Sequence, residues 1–516
     1  MTGARDNGVP PVGARSWWLY EALRADPGAP CPPLAGEAAA DVCVVGGGFA
    51  GLWTAYELTE RAPSLELVVL EADICGGGGS GANGGFFSPS WTLLEALCET
   101  FGEEGGVDYA TALAGQAAEL GEWVARHGAR IELHRDGILY AHAGAWQAAA
   151  SEETLRLLAR HGLENRLRAV DVTEARAVAD SPRLVGGMVA PDLATIQPAK
   201  LARELRRVLL ERGVRIYEGT PMTRVHPGAP LHVETPAGTV VAPDVVITTG
   251  AWAIGEPHFR RAFAVCTDFM VVTEPIPERL EAIGWRTHTG IADSRELCFY
   301  VRRTDDDRIA IGGGAIGAAY GGRIGGRALN SPRLAAVAAR GLPWLFPALE
   351  GVRIDAAWSG PMDMTPASVP FFESSRDGHL HAGLGFSGHG LAATKLGGKT
   401  LASLVMHEDD EWSRLPVVGP AMTRVPPEPL RWPMVASVAW ASESGDLARE
   451  RGRSRGLAQV AVLYTYEAYV SRVHPAPAPP GSMSAGAAGP APQLGRNART
   501  TPREREGIRG NLAQRP

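Results

Sequence analysis

Short continuous apolar runs alternate along the chain with longer segments whose apolar positions recur every three or four residues. The runs Val42–Val45 and 65–70 are rich in valine and leucine, which is typical of strands buried on both faces of a parallel sheet. The segment between them has the periodicity of a helix. Residues 198–213 predict an amphipathic helix that ends at Gly213. The apolar face of this helix consists of Leu201, Leu205, Val208 and Leu209.

Further apolar runs predict the other strands. Residues 244–250 are expected to form a central strand that meets a ligand at its carboxyl end. Because strands and helices alternate, the pattern favours an α/β fold with two insertions. The remaining predicted strands are 131–133, 137–141, 214–219, 231–235, 239–242, 269–274, 297–302 and 308–313.

A glycine motif joins the first strand to the first helix. Gly46 permits a tight turn, Gly48 lets the backbone approach a pyrophosphate, and Gly51 allows the helix to pack closely on the strand. The helix N-terminus offers free N–H groups to the phosphates. Glu71 ends the second strand, where a carboxylate reaches the ribose hydroxyls of a dinucleotide. Strand, motif, helix, strand and acid in this order predict a dinucleotide-binding unit.

The segment after Glu71 favours FAD over NAD. Residues 76–79 are all glycine and lead into Ser80–Gly85, a composition that cannot form a helix or strand interior without conformational cost. Such a segment suits a chain that lies against a flat cofactor, with Ser80 and Asn83 free to bond it. A flexible surface loop is the alternative.

A second glycine-rich turn, Gly383–Leu391, precedes another helical pattern. The positive end of that helix would face whatever the turn contacts, and it would stabilise the negative charge of a reduced flavin. His389, within the turn, is either a flavin-site residue or a structural histidine bonded to the backbone.

Composition narrows the class of protein. The chain has 516 residues, 45% hydrophobic and 21% charged residues and a net charge of −7, as expected for a globular protein of two or three domains. The acidic balance gives no reason to expect nucleic acid as a partner. We find no apolar run long enough to span a membrane, no signal-peptide pattern and no metal-ligand spacing among the six cysteines, and we predict a cytoplasmic protein without a metal site.

With these motifs in place, the chain resembles the D-amino-acid oxidase-like FAD-dependent oxidoreductases, the superfamily of glycine oxidase and sarcosine oxidase. Within it, the chain is most similar to the gamma-glutamylputrescine and aminophosphonate oxidoreductase families. The resemblance runs from about residue 16 to 473. The residues on which the resemblance rests are Ser16–Leu19, the glycine motif, Ser80–Gly85, 273–275, Tyr300–Arg302 with Arg308, 385–390 and 426–431.

The resemblance implies an α/β fold in which a Rossmann-like FAD-binding domain is assembled from discontinuous segments. A mixed sheet-and-helix substrate domain is formed by the two insertions. This gives the FAD-binding domain at 38–91, 193–255 and 351–410 and the substrate domain at 92–192 and 256–350. The remaining segments are predicted to be a lead-in at 1–37, a C-terminal helical extension at 411–473 and a tail at 474–516, which is expected to be disordered because its low-complexity composition cannot bury enough apolar surface to fold.

The family pattern also implies site residues. Arg302 matches the region of an arginine that clamps a substrate carboxylate, unless it is a surface arginine at a strand end; His389 and Tyr300 are expected to orient the substrate. The implied FAD contacts are Gly46, Gly48, Phe49, Ala50, Gly51, Glu71, Ala72, Ser80, Gly81, Asn83, Gly84, Gly85, Met222, Gly250, Trp252, Gly388, His389, Gly390 and Leu391.

Two departures from the sarcosine oxidases modify this expectation. The lysine that follows their Gly-His-Gly turn is Ala392 here, and the cysteine that attaches their flavin is Gly360. We therefore predict non-covalent FAD and do not favour sarcosine as the substrate. The chain has only three lysines, Lys200, Lys395 and Lys399, so the electron acceptor is either O2 or an unidentified acceptor.

The family chemistry is oxidation of a C–N bond to an imine by hydride transfer to the flavin, followed by hydrolysis. A small-molecule amine or amino acid is the expected substrate. A 2-hydroxyacid-type dehydrogenase on the same fold and a non-catalytic binding protein that reuses the FAD fold are the rival interpretations. The second is disfavoured because a scaffold without flavin need not keep Glu71 and both flavin-contacting segments.

Overall fold

The computed structural model describes residues 8–88, 91–419 and 424–473. The α-helices in these ranges are α1 (Trp17–Ala25), α2 (Phe49–Arg61), α3 (Leu94–Phe101), α4 (Glu103–His127), α5 (Ala145–Arg160), α6 (Val172–Val178), α7 (Pro198–Glu211), α8 (Pro277–Ala282), α9 (Pro332–Leu345), α10 (Gly390–Val405), α11 (Arg431–Glu450) and α12 (Leu457–Val473). None of the helices that the structure describes is both long and apolar enough to cross a membrane.

Strands make up the rest of the framework. They are β1 (Gly36–Ala39), β2 (Val42–Val45), β3 (Leu67–Leu70), β4 (Phe86–Phe87), β5 (Ile138–His142), β6 (Arg168–Val170), β7 (Gly186–Ala190), β8 (Ala194–Thr195), β9 (Arg215–Tyr217), β10 (Arg224–His226), β11 (Leu231–Thr235), β12 (Gly238–Ala242), β13 (Asp244–Ile247), β14 (Ala264–Thr273), β15 (Gly290–Asp293), β16 (Phe299–Arg303), β17 (Ile309–Gly313), β18 (Gly317–Ala318), β19 (Ile354–Met364), β20 (Phe371–Ser374) and β21 (Leu380–Leu384).

A six-stranded sheet forms the centre of the nucleotide-binding unit. Its order is β20-β21-β13-β2-β3-β9, and every neighbouring pair is parallel except β20 with β21. All residues of β2 and β3 are buried, as expected for strands covered on both faces. The sheet confirms the predicted α/β class, and β13 occupies the central position expected of residues 244–250.

Helices α2 and α10 cover one face of this sheet in close contact with each other. A Cβ atom at Gly398 would lie 2.7 Å from the backbone carbonyl carbon of Trp53, so the glycine is what allows the two helices to approach. The amphipathic helix α7 has its predicted residues Leu201, Leu205 and Leu209 fully buried. Gly213 follows it with φ 82°, the left-handed conformation typical of a residue that ends a helix.

A second, nine-stranded sheet has the order β18-β14-β17-β16-β15-β5-β7-β6, and β19 pairs with β14. The antiparallel pairing of β14 with β19 extends from Ala264 opposite Met364 to Thr273 opposite Ile354. Strand β19 therefore belongs to the same sheet as the predicted substrate-domain strands, although it lies within the segment 351–410 that is predicted to belong to the FAD-binding domain. The division of the chain into domains remains a prediction.

Two local features differ from the sequence-based expectation. Residues 131–133 form no strand, because Glu132 adopts a left-handed φ of 50° and its side chain bonds Lys200. Residues 224–242 join β1 in a separate four-stranded sheet, order β1-β12-β11-β10, beside the central one. The predicted tail at 474–516 lies outside the described residues.

Candidate active site

The glycine motif forms the turn from β2 into α2. Gly46 has φ 115°, and a Cβ atom there would lie 2.7 Å from the carbonyl oxygen of Thr248. A Cβ at Gly51 would lie 2.0 Å from the carbonyl oxygen of Gly46. Neither position accommodates a side chain in this backbone. Gly48 is the N-cap of α2 and supplies no side-chain cap, so the N–H groups of Ala50 and Gly51 in the first turn are directed towards an incoming phosphate.

Glu71 lies at the carboxyl end of β3, beside this turn. Its Oε2 accepts a hydrogen bond from Gly47 N at 2.7 Å and its Oε1 accepts one from Asp73 N at 2.9 Å. Burial raises the pKa of Glu71 above its ordinary value, while the two backbone N–H groups act in the opposite direction. The next residue, Ala72, is exposed. This is the position that a ribose-binding carboxylate requires, and the glycine turn and the acid together fit an adenine dinucleotide.

The glycine-rich loop 76–85 folds back onto the start of α2. Ser80 Oγ accepts a hydrogen bond from Phe49 N at 2.9 Å, so this side chain caps the helix. The Asn83 side chain holds the loop together: it donates to Ser80 O at 2.7 Å and accepts from Gly85 N at 2.8 Å. Both side chains thus have structural bonds of their own. A cofactor contact by Ser80 or Asn83 remains a prediction.

Close packing explains why the loop needs its glycines. A Cβ atom at Gly81 would lie 2.2 Å from Gly76 O, and one at Gly85 would lie 2.1 Å from Ile196 O. At Gly84 it would lie 2.7 Å from the ring of Tyr300. The loop is therefore fixed against its surroundings, which argues against the alternative of a flexible surface loop.

Two tryptophans outside the loop hold its backbone in place. Trp18 Nε1 donates to Asn83 O at 3.0 Å, and Trp358 Nε1 donates to Ala82 O at 2.9 Å. Ser16 Oγ donates to Gly81 O at 2.5 Å. The part of the lead-in around α1 therefore braces the loop, a role that the sequence analysis does not anticipate. The paired tryptophans at 17 and 18 in an otherwise polar segment are the signal that could have suggested it.

The second glycine-rich turn lies before α10. Asp363 Oδ2 accepts from Gly385 N at 2.6 Å, and Ser387, with φ 51°, places its Oγ 3.0 Å from Thr365 N as acceptor. Burial raises the pKa of Asp363 to about 6. A Cβ at Gly388 would lie 3.1 Å from Met362 Sδ, which brings this turn beside β19.

His389 is exposed at the end of this turn, and its Nδ1 lies 3.1 Å from Ser387 O. Surrounding protein atoms that exclude water lower the pKa of its imidazole. The helix α10 starts at Gly390, and Leu391 is buried behind it. The geometry allows His389 both of the roles considered: it bonds the backbone, and it keeps a free face at the site.

Gly250 and Trp252 follow the carboxyl end of β13, and Met222 follows that of the edge strand β9. Gly250 has φ 54° and begins a 3-10 helix, Gly250–Gly255. The Trp252 side chain is half-exposed, and its ring lies 3.2 Å from the Cβ position of Gly78. Met222 is partly buried and packs on the core of the central sheet. Their predicted contacts with FAD remain predictions.

Tyr300 lies on the face of the nine-stranded sheet that packs against the loop 76–85. Its hydroxyl donates a hydrogen bond to Asp268 Oδ2 at 2.6 Å, and its ring meets Phe86 edge to face at 5.9 Å. Burial raises the pKa of Tyr300 well above its ordinary value. Sequence reasoning missed Asp268. An acid within the apolar run 264–273 is the signal that could have identified it.

Arg302 lies on the same sheet face, one pleat from Tyr300, but it is completely buried. It donates to Ile196 O, and its guanidinium carbon is 5.1 Å from the ring centroid of Trp18. Its Nε and second terminal nitrogen have no hydrogen-bond partner among the described residues. Burial lowers its pKa to about 10. The idea of a surface arginine at a strand end is wrong, and a direct contact with substrate would require Gly85 and its neighbours to move.

All three lysines form ion pairs. Lys395 Nζ and Lys399 Nζ each lie 2.6 Å from a carboxylate oxygen of Glu119, and Lys200 pairs with Glu132. Each lysine amine is therefore occupied by a carboxylate of the protein.

The absence of a metal site remains a prediction. In the described part of the chain, two groups of side chains bring possible ligand atoms within 4.8 Å of one another. They are His134, His288 and Asp305, and Asp244, His379 and His407.

The parallel sheet, the glycine turn and the acid at the end of β3 define a dinucleotide-binding oxidoreductase fold. Residues 41–404 match the family described as FAD dependent oxidoreductase, and the chain belongs to that family. The chain is accordingly an FAD-dependent oxidoreductase, and the resemblance inferred from its sequence is confirmed.

Individual relatives agree with this assignment. The chain is 30% identical over 393 residues to the gamma-glutamylputrescine oxidoreductase of Escherichia coli K12, covering 75% of this chain and 88% of that protein. It is 25% identical over 401 residues to the glycine oxidase of Geobacillus kaustophilus, covering 73% and 95%. The crystal structure of glycine oxidase from that organism has a TM-score of 0.60 at 20% identity, covering 72% of this chain and 96% of that one.

Proposed function

We propose that this protein oxidises the C–N bond of an amine to an imine, which water then hydrolyses. The observation that carries the proposal is that the two predicted flavin-contacting segments, 76–85 and 385–390, both contact one face of the nine-stranded sheet. Gly84 contacts Tyr300 and Gly388 contacts Met362 on that face. The relative named gamma-glutamylputrescine oxidoreductase supports an amine substrate.

The residues of the chain fit FAD. We assign the pyrophosphate to the N-terminus of α2 and the ribose hydroxyls to Glu71, and we place the isoalloxazine between the loop 76–85 and the turn 385–390. When bound there, FAD supplies the hydride acceptor. The N-terminus of α10 contributes a positive dipole end, which is worth about 0.3–1 kcal/mol when exposed and up to about 2 kcal/mol when partly buried.

An amine is favoured over an amino acid held by its carboxylate. Arg302, the expected clamp for a carboxylate or phosphonate, is closed off behind Gly85 and Trp18. At Tyr300 and His389, which do reach the site, surrounding protein atoms that exclude water raise the pKa of the phenol and lower that of the imidazole, so the charged form of each is disfavoured. They orient a substrate without supplying a positive charge for a carboxylate.

The test is the visible spectrum of FAD-loaded protein before and after anaerobic addition of single compounds. The panel holds putrescine, glycine, sarcosine, D-alanine and 2-aminoethylphosphonate, with lactate and glycerol phosphate as non-amines. Bleaching of the flavin bands by an amine supports the proposal, and bleaching by lactate or glycerol phosphate alone supports the 2-hydroxyacid-type dehydrogenase instead. Protein that takes up no FAD would leave only the non-catalytic interpretation.

Two further properties follow from the same site. Gly360 offers no thiol, and a Cβ there would lie 3.3 Å from Ala82 Cβ, so we expect FAD to leave the protein on acid precipitation. A coloured pellet would contradict this. Since all three lysines are ion-paired, we expect slow reoxidation by air after anaerobic reduction, as in a dehydrogenase; rapid reoxidation would identify O2 as the acceptor. Cytoplasmic location remains part of the proposal.

The role of His389 can be separated from flavin binding. We expect His389→Asn to slow flavin reduction by the active amine while FAD affinity changes little. His226→Asn, an exposed histidine on the four-stranded sheet, is the matched control. Equal reduction rates in both variants would leave His389 a purely structural residue.

A further inference from the structure

Asp268 lies on the sheet face that the loop 76–85 covers. Its partner across the β14–β19 pair is Gly360, whose Cβ position is 3.3 Å from Ala82 Cβ and 3.9 Å from the Cα of Gly79. Its hydrogen-bond partner Tyr300 contacts the other end of the same loop at Gly84. Residues on both sides of Asp268 therefore contact the loop 76–85, which we predict to lie against the cofactor.

The carboxylate of Asp268 is oriented but carries no counter-charge. Oδ1 accepts from Phe269 N at 2.7 Å and Oδ2 accepts from the Tyr300 hydroxyl at 2.6 Å. Among the described residues it forms no ion pair, whereas the buried Asp293 is paired with Arg295 at 2.5 Å. A carboxylate removed from water without a cation is costly unless a ligand supplies the charge.

Solvent access distinguishes Asp268 from another buried acid. Asp363 also lacks a cationic partner among the residues described, but it is closed off and used to hold Gly385. Asp268 keeps part of its surface open. The backbone N–H of Gly313 donates to the same carboxylate, so three hydrogen bonds orient Asp268 and leave room for one further donor.

We propose that Asp268, held in place by Tyr300, is the anionic group that binds the protonated amine of the substrate. This inference rests on the proposed function and names the form in which the substrate arrives: an aliphatic ammonium ion recognised by a charge-assisted hydrogen bond. It also gives opposite roles to two charged residues of this face. Asp268 is partly exposed and would bind a cation, whereas Arg302 is fully buried and does not meet an anion.

The electrostatics of the surroundings give the interaction a pH dependence. Burial raises the pKa of Asp268 to about 6. The titratable groups that interact with it are the Tyr300 hydroxyl and the Cys298 thiol, whose pKa values burial raises well above 10 and to about 12, so both stay neutral. The facing segments of β17, β18, β19 and the loop add no titratable side chain at 312–313, 317–318, 359–361 or 79–84. Ammonium binding should weaken as the pH falls through about 6, because Asp268 then gains a proton.

The test uses FAD-loaded protein and two probes of equal size and opposite charge, n-butylamine and butanoate. Binding is followed by perturbation of the flavin spectrum across a pH series. We expect the unsubstituted protein to bind butylammonium more tightly than butanoate, and Asp268→Asn to weaken butylammonium binding about ten-fold or more and to remove its pH dependence. Asp192→Asn, an exposed acid, is the matched control and should change neither.

A second variant keeps the test decisive if Asp268→Asn fails to hold FAD. Tyr300→Phe retains the carboxylate and removes the donor that favours its charged form, so the midpoint of ammonium binding should move to higher pH. An unchanged midpoint in Tyr300→Phe, unchanged binding in Asp268→Asn, or failure of the unsubstituted protein to prefer butylammonium would overturn the inference. Flavin bleaching by an amine that is equal in Asp268→Asn would do so while leaving the proposed function intact. If no amine bleaches the unsubstituted protein, the proposed function itself fails.

Discussion

Replacement of Gly51 by alanine tests the physical basis of the nucleotide-binding turn. The new Cβ would lie 2.0 Å from Gly46 O and 2.7 Å from Thr248 Oγ1, so α2 must retreat from β2 by about 1.4 Å to reach an ordinary contact of 3.4 Å. Leu52 and Trp53, both fully buried on α2, move with it. The gain in helix propensity, about 0.5–1 kcal/mol, is smaller than the usual cost of overpacking, about 1–3 kcal/mol or more.

We therefore expect Gly51→Ala to lower the free energy of unfolding by about 1–3 kcal/mol and to weaken FAD binding about ten-fold or more, because the displaced helix N-terminus no longer meets the pyrophosphate. Urea unfolding followed by tryptophan fluorescence measures the first, and quenching of flavin fluorescence measures the second. Gly115→Ala is the control: Gly115 lies in α4 with nothing within 4 Å of its Cβ position, so this variant should be more stable by about 0.5–1 kcal/mol. Equal stability of Gly51→Ala and the unsubstituted protein would refute the argument.

Three other substitutions test the site and its support. Glu71→Gln should weaken FAD binding by about 1.5–3 kcal/mol in a fluorescence titration, since a charged acceptor is lost; undiminished affinity would rule out its ribose role. Glu218→Gln leaves the buried Arg206 without its counter-charge at 3.0 Å, so thermal unfolding should show a loss of about 3–5 kcal/mol, and an unchanged transition would contradict the assignment. Burial raises the pKa of Asp363 from 3.8 to about 6, so the folded state binds its proton more tightly and stability falls as the pH rises between these values. We therefore expect the free energy of unfolding of Asp363→Asn, relative to that of the unsubstituted protein, to be higher at about pH 7 than at about pH 4 by up to about 3 kcal/mol in urea unfolding. A difference that does not depend on pH would show that Asp363 is not the group responsible.

Local patterns in the sequence predict the elements that position the cofactor. The strand β2, the turn at Gly46–Gly51, the helix α2 and the strand β3 are contiguous, so one glycine motif and two apolar runs specify them. The helix α7 follows from its own periodicity in the same way. In each case the residues that specify the element lie close together in the sequence.

Features that depend on distant pairing are harder to predict. The pairing of β14 with β19 joins residues 264–273 to 354–364, and no local pattern in either strand predicts which strand it pairs with. Alternation along β16 places Tyr300 and Arg302 on one face, but the burial of Arg302 depends on Trp18, Gly85 and Ile196 from other segments. Asp268 could not be identified from the sequence for the same reason: its role depends on the contact with Tyr300, and that contact forms only in the folded sheet.

The strand order of the six-stranded sheet also has a consequence for synthesis of the chain. Strand β2 has one neighbour, β3, soon after it in the sequence, but its other neighbour β13 begins at Asp244, and the next strand outward, β21, ends only at Leu384. At ribosomal rates of about 5–20 residues per second, the edge of β2 waits on the order of ten seconds or more for its partner. An unpaired apolar edge is prone to aggregation during that interval. The yield of folded protein should therefore rise when nascent chains are protected from aggregation.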